Sequence, residues 1–238
     1  MTENKRSPWG AAIGGGIIGA GLTAALIVVA GPKLLGEQMV RDAIVNHPEI
    51  LVEGSDALRD RQYAPTLAAH RSGIETPFHS SWKGAAKPTA TLAYYYDYAC
   101  GYCRKSNPDI DRLLAEDKDL RVVFHELPIL GPASLAASRV ALAASKAGKF
   151  AAFHDTLTAA GNPTIETIAT AAAAAGVPAV PQDVAEQEAA LKRNFQVAGQ
   201  LGATGTPLFI VGDRVINSAV GYGVLKNAIR DARAKSQS

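Results

Sequence analysis

Two residues of this chain stand out for their chemistry. Cys100 and Cys103 are its only cysteines among 238 residues, and they lie one helical turn apart in Cys100-Gly101-Tyr102-Cys103. A thiolate is a far better nucleophile than a thiol, and a free cysteine titrates near 8.5. At the first turn of a helix, Cys100 would face unpaired backbone N–H groups and the positive end of the helix dipole, and both favour a thiolate. Cys103 is then within reach for a disulfide. Such a pair cycles between dithiol and disulfide through a mixed disulfide with a partner, with Cys100 as the more exposed attacking sulfur and Cys103 as the buried resolving one. Other readings fit less well. Five histidines, at 47, 70, 79, 125 and 154, show no paired spacing that would complete a zinc site. Covalent haem needs His directly after the second cysteine, where Arg104 stands. A purely structural disulfide over so short a loop removes little unfolded-state entropy. Capture of copper(I) by two thiols is chemically reasonable and stays open.

The elements around this pair agree with the redox reading. Thr89–Tyr98 is β-branched and aromatic and reads as a buried strand. Arg104–Glu116 reads as a helix that Pro108 should kink, and Leu120–Glu126 as a second strand. Together these make a βαβ unit with the cysteines at its first strand-to-helix turn. An alanine-rich stretch, 133 to about 200, is divided by turn signals at Gly148, Gly161-Asn162-Pro163 and Gly176-Val177-Pro178 into about four helices. Leu208–Val211 is a short strand, Gly212-Asp213 a turn, Val215-Ile216 the return strand of a hairpin, and Val224–Ala234 a final helix. Gly205-Thr206-Pro207 precedes the 208 strand. Opposite an upstream cysteine pair, Pro207 becomes a candidate cis-proline, with Gly205 and Thr206 offering backbone groups to an extended substrate.

The N-terminal third is of another kind. No charge occurs between Arg6 and Lys33, and residues 9–31 are apolar or small. That length favours an uncleaved membrane anchor over the shorter apolar region of a secretory signal, although Val28-Val29-Ala30 is a passable cleavage site. Lys5 and Arg6 keep the short end in the cytoplasm. Gly15 and Gly19 form a GxxxG spacing, whose simplest reading is a glycine-rich segment. Residues 34–60 carry apolar residues at helical spacing, with a fresh start at His47-Pro48-Glu49; 62–85 is mixed, without a long period. The expected organisation is a cytoplasmic tip and anchor or signal over 1–31, a helical arm and linker over 32–85, and a main domain over 86–238. The arm packs either on the main domain or on another copy, which leaves a homo-oligomer open. A near-neutral charge balance, +2 overall, speaks against a dedicated nucleic-acid binder.

With these motifs in place, the chain resembles the DsbA-like thiol–disulfide oxidoreductases of the thioredoxin superfamily. The resemblance is carried by the aromatic strand into Cys100-Gly101-Tyr102-Cys103, the helix containing Pro108, the strand end Val123-Phe124-His125-Glu126-Leu127-Pro128, and Thr206-Pro207. It covers about residues 86–238 and implies an α/β thioredoxin-like fold with an inserted helical domain. Residues 40–53, with Asn46-His47-Pro48-Glu49, resemble the N-terminal arm of the suppressor-of-copper-sensitivity C branch, where the arm often mediates oligomerisation. The resemblance implies an enzyme that oxidises or isomerises exported cysteine-containing proteins. It would use the redox-active Cys100–Cys103 disulfide with no cofactor or metal, and a membrane redox partner would return it to its starting state. Its place would be the bacterial inner membrane with the catalytic domain in the periplasm, or the periplasm itself if the leader is cleaved. The best-known oxidases of the family carry Pro-His between the cysteines, not Gly101-Tyr102. Some relatives bury an acid in the first strand, where Tyr94 stands here. Asp97 and Glu126 are the nearby acids that remain as proton-relay candidates, Asp97 with the plainer reading of a strand-end carboxylate in water. The tyrosines at 94, 95, 96 and 98 read as strand packing.

Overall fold

A computed structural model describes residues 36–182 and 184–236 of the chain. It divides into two compact units, Met1–Leu58 and Arg59–Ser238. Within the first, helix α1 (Gly36–Asn46) ends before Pro48, whose ring cannot continue it. Helix α2 (Glu49–Glu75) then begins there and ends in the second unit. Met39, Val40 and Val45 on α1, and Ile50, Leu51, Val52 and Leu58 on α2, are exposed. No helix among the described residues is long and apolar enough to cross a membrane. The expected anchor over 9–31, its GxxxG and its cleavage site lie outside the described residues.

The second unit is built on a five-stranded sheet in the order β1-β3-β2-β4-β5, comprising β1 (Trp82–Gly84), β2 (Ala90–Tyr96), β3 (Leu120–Glu126), β4 (Leu208–Val211) and β5 (Arg214–Ile216). Strands β2 and β3 are parallel and in register from Ala90 opposite Leu120 to Tyr96 opposite Glu126. The remaining pairings are antiparallel. Helix α3 (Gly101–Glu116) makes the crossover. The four expected helices of the alanine-rich stretch are α4 (Pro132–Lys146), α5 (Phe150–Ala160), α6 (Ile165–Ala175) and α7 (Ala185–Gln200), and α8 (Tyr222–Ser236) ends the chain. Thr164 caps α6 in a reciprocal pair with Thr167, and Gly176 closes it in the left-handed conformation.

Both faces of the sheet are covered, which is why β2 reads as an unbroken apolar run. Leu92, Tyr94 and Tyr96 point into a core shared with Ile110, Phe124, Phe150, Phe153 and Phe209. Ala93 and Tyr95 point to the other face, where Leu67 and Ile74 of α2 pack beside Val197, Leu201, Leu208 and Ile210. The stretch 62–85, expected to be mixed and without long elements, therefore differs from its sequence reading. It holds the end of α2, which runs through Gly54, Ser55 and Pro65, and the edge strand β1. Tertiary contacts override the local helix breakers: Leu67 is buried in the core with Tyr63 partly buried against it, and Arg71 Nη2 donates to Asp213 Oδ1 at 2.5 Å. A three-residue edge strand, Trp82-Lys83-Gly84, carries no alternation to detect.

Candidate active site

The last residues of β2 lead through Asp97, Tyr98 and Ala99 into the start of α3. Cys100 is the N-cap of that helix, in extended conformation, and its Sγ accepts the Cys103 N–H at 3.4 Å. The Thr206–Pro207 bond is cis. Across the site, Cys100 Sγ donates to the Thr206 carbonyl at 3.3 Å. Two segments more than 100 positions apart thus meet at one sulfur. Both cysteines are free thiols. Cys100 is 6% exposed and Cys103 2%, so the expected order of exposure holds by a narrow margin, while Tyr102 between them stands out at 66%. Burial pushes the Cys103 thiol up to about 12, with its contacts to the Asp97 backbone and Thr206 acting in the opposite direction.

Beneath the helix start, Tyr94 fills the place where an acid was not found in the sequence. Its O–H donates to the Cys103 carbonyl at 3.2 Å, and burial holds its phenol well above the ordinary range. Asp97 is not a strand-end carboxylate in water; it is fully buried. Oδ1 accepts the Ala99 N–H at 2.7 Å. Oδ2 accepts the N–H groups of Ile129 and Leu130 at 2.8 and 2.9 Å. One side chain therefore ties the turn entering Cys100 to the loop after β3.

Glu126 ends β3 and is also fully buried. Its partners are hydroxyls: Tyr96 donates to Oε1, and Ser138 of α4 donates to Oε2 at 2.7 Å. Desolvation drives its carboxyl up to about 8, against the pull of those two hydroxyls. The Tyr96 and Tyr98 oxygens are 3.0 Å apart and lie 3.3 and 3.1 Å from His154 Nδ1 of α5. Burial holds His154 down at about 3, hence neutral. The sequence reading of Tyr96 and Tyr98 as packing is incomplete, because their rings pack while their hydroxyls form this polar cluster. Tyr98 lies beyond the end of β2, where the sequence reading carries the strand on to it. Nothing in the sequence linked His154 or Ser138 to it. Among the described residues, no group of three or more His, Cys, Asp or Glu side chains is arranged to hold a metal ion.

The family profile of the DSBA-like thioredoxin domain matches residues 91–230. That of the copper resistance protein ScsC N-terminal domain matches residues 37–64. A periplasmic thioredoxin-like protein from Salmonella enterica serovar Typhimurium superposes with a TM-score of 0.63 at 29% identity, covering 69% of this chain and 95% of that one. A linker-deletion mutant of Proteus mirabilis ScsC superposes at 0.67 with 26% identity, covering 87% of this chain and 97% of that one. Among curated proteins, the Na(+)/H(+) antiporter NhaA 3 of Salinispora tropica is 32% identical over 79 residues. That match takes in 32% of this chain and only 12% of the antiporter's length. The profile match spans the strand, the cysteine pair, the helical insertion and the proline turn together, and the chain belongs to the DsbA-like thioredoxin domain family of thiol–disulfide oxidoreductases.

Proposed function

We propose that this chain is an exported enzyme that forms or isomerises disulfides in exported proteins through Cys100 and Cys103. The observation that carries the reading is the meeting of Cys100 Sγ, at the N-cap of α3, with the Thr206 carbonyl beside cis-Pro207. In the oxidised enzyme a substrate thiolate attacks Cys100 Sγ, the Cys100–Cys103 bond breaks, and the electron pair leaves on Cys103. A second substrate thiolate then attacks the substrate sulfur of the mixed disulfide and releases Cys100. The backbone of Gly205 and Thr206 lines up the extended substrate, and Pro207 shapes that turn. Asp97 and Glu126 are the acids of the site, and no resident cofactor or metal takes part. A membrane redox partner restores the disulfide.

Export rests on the apolar segment 9–31 behind Lys5 and Arg6, with the catalytic domain, 86–238, on the periplasmic side of the inner membrane. If the segment is cleaved, the enzyme is periplasmic. Within the arm over 32–85, the part before residue 59 is the oligomerisation element, supported by the exposed apolar side chains of α1 and the start of α2. Replacing Cys100 with Ser abolishes oxidation of a reduced dithiol peptide, and Cys103→Ser accumulates mixed disulfides visible on a non-reducing gel. Full activity in Cys100→Ser would sink the proposal. The match of the arm to a domain of a copper resistance protein favours one second reading, copper(I) held by the same two thiols. Stoichiometric copper(I) binding without turnover of the peptide would select it.

A further inference from the structure

The cycle proposed above needs a proton at Cys103. When the Cys100–Cys103 bond breaks, the buried sulfur receives the electron pair, and its thiol sits at about 12. At neutral pH that sulfur takes up a proton, and on reoxidation it must return one. Three ionisable side chains at the ends of the central strands are candidates. Tyr94 touches Cys103, but burial and that contact hold its phenol well above the ordinary range, so it keeps its proton through neutral pH. Asp97 has both carboxylate oxygens engaged by backbone N–H groups. Glu126 remains, and its carboxyl, at about 8, changes charge near physiological pH.

A path joins it to the sulfur. A cavity of about 10 Å³, the room of one water, is lined by Cys103 together with Tyr96, Asp97, Tyr98, Asn107 and Thr158. Tyr96 contacts Glu126 directly and lies 3.0 Å from the Tyr98 oxygen. We infer that Glu126 is the proton store for Cys103, working through the Tyr96 and Tyr98 hydroxyls and a water in this cavity. This rests on the reading of the cysteine pair as redox-cycling. On reduction, Glu126 gives its proton to the Tyr96 oxygen. Tyr96 passes its own to Tyr98, Tyr98 to the water, and the water to the Cys103 thiolate. Glu126 ends as a carboxylate and Cys103 as a thiol. Reoxidation reverses every transfer as Cys103 attacks to re-form the disulfide.

Few charges surround this path. The Asp97 carboxylate, just after β2, pushes Glu126 upward. His154 of α5 is neutral and Lys83 of β1 acts on it. Asp155 acts on Tyr98. The Arg104 guanidinium of α3 donates to the Tyr98 carbonyl at 3.1 Å and also lines the cavity. Asn194 of α7 donates to the Glu126 backbone carbonyl at 2.9 Å.

The test is a single-turnover reaction of the oxidised full-length chain with a reduced dithiol peptide between pH 5.5 and 9.5. Glu126→Gln and Tyr98→Phe are compared with the unmodified protein at each pH, so that the peptide's own titration cancels in the ratio. Below pH 8 both variants run about ten- to a hundredfold slower. The ratio returns toward one above it, where Glu126 is already ionised. A ratio flat with pH in either Glu126→Gln or Tyr98→Phe overturns the inference. If the unmodified protein oxidises the peptide no faster than Cys100→Ser, the redox reading itself fails, and that outcome is separate from a flat ratio.

Discussion

Strands β2 and β3 run side by side and each delivers a carboxylate to the cysteine end of the sheet, with opposite surroundings. Asp97 and Glu126 are both fully shielded from solvent. Asp97 meets three backbone N–H groups, donors that cannot be withdrawn without breaking the chain path. Glu126 meets two side-chain hydroxyls, which rotate and can either donate or accept. Burial alone therefore does not give an acid its role. Fixed donors make a carboxylate a strut, while rotatable hydroxyls leave it free to change protonation at modest cost.

Of the two acids, Asp97 carries the larger share of stability. Asp97→Ala removes the acceptor of three part-buried N–H groups and is expected to cost about 2–4 kcal/mol in chemical denaturation. Activity falls with the loss of the Cys100 approach. A loss under about 1 kcal/mol would remove the strut reading.

Glu126 is tested by pH. Its carboxyl is raised in the fold to about 8 from an ordinary 4.5. The folded state therefore binds the extra proton, and the stability from this group is full below pH 4.5 and lost as pH rises to about 8. His125 and His154 are lowered to about 4 and about 3 from 6.5. Their contributions are full above pH 6.5 and lost on acidification. From these three groups, stability peaks near pH 6.5 and declines toward pH 8 by about 2 kcal/mol. Glu126→Gln removes the decline above pH 6.5 and leaves the acid limb; denaturation midpoints across pH 4–9 read both. An unchanged alkaline limb would place the titration elsewhere.

The smallest effect sharpens the contrast. Ser138 donates to Glu126 and favours its charged form. Ser138→Ala should shift the Glu126-dependent decline upward by about 0.5–1 pH unit, a change of about 1 kcal/mol. No shift would mean that the hydroxyl contributes nothing to the acid's charge state.

The two acids also mark how far the amino-acid sequence could be read. The cysteine pair, the strand before it, the parallel partner strand, the four inserted helices and the hairpin were legible because each rests on spacing within a few residues. The burial of Asp97 was not. It depends on the loop at Ile129 and Leu130 folding back over a strand end 32 positions earlier. The continuation of α2 past Pro65 was hidden for the same reason, since its packing partners lie on β4 and α7.

What the sequence by itself determined is the i, i+3 cysteine pair at a strand-to-helix turn, because local geometry places neighbours three apart on one helical turn. Only the tertiary structure decided what those sulfurs and acids touch. It set the Thr206 carbonyl on Cys100, the backbone amides on Asp97, and the Tyr96, Tyr98 and His154 cluster beside Glu126. Desolvation and hydrogen bonding are sums over neighbours brought from distant parts of the chain, and no local spacing encodes them.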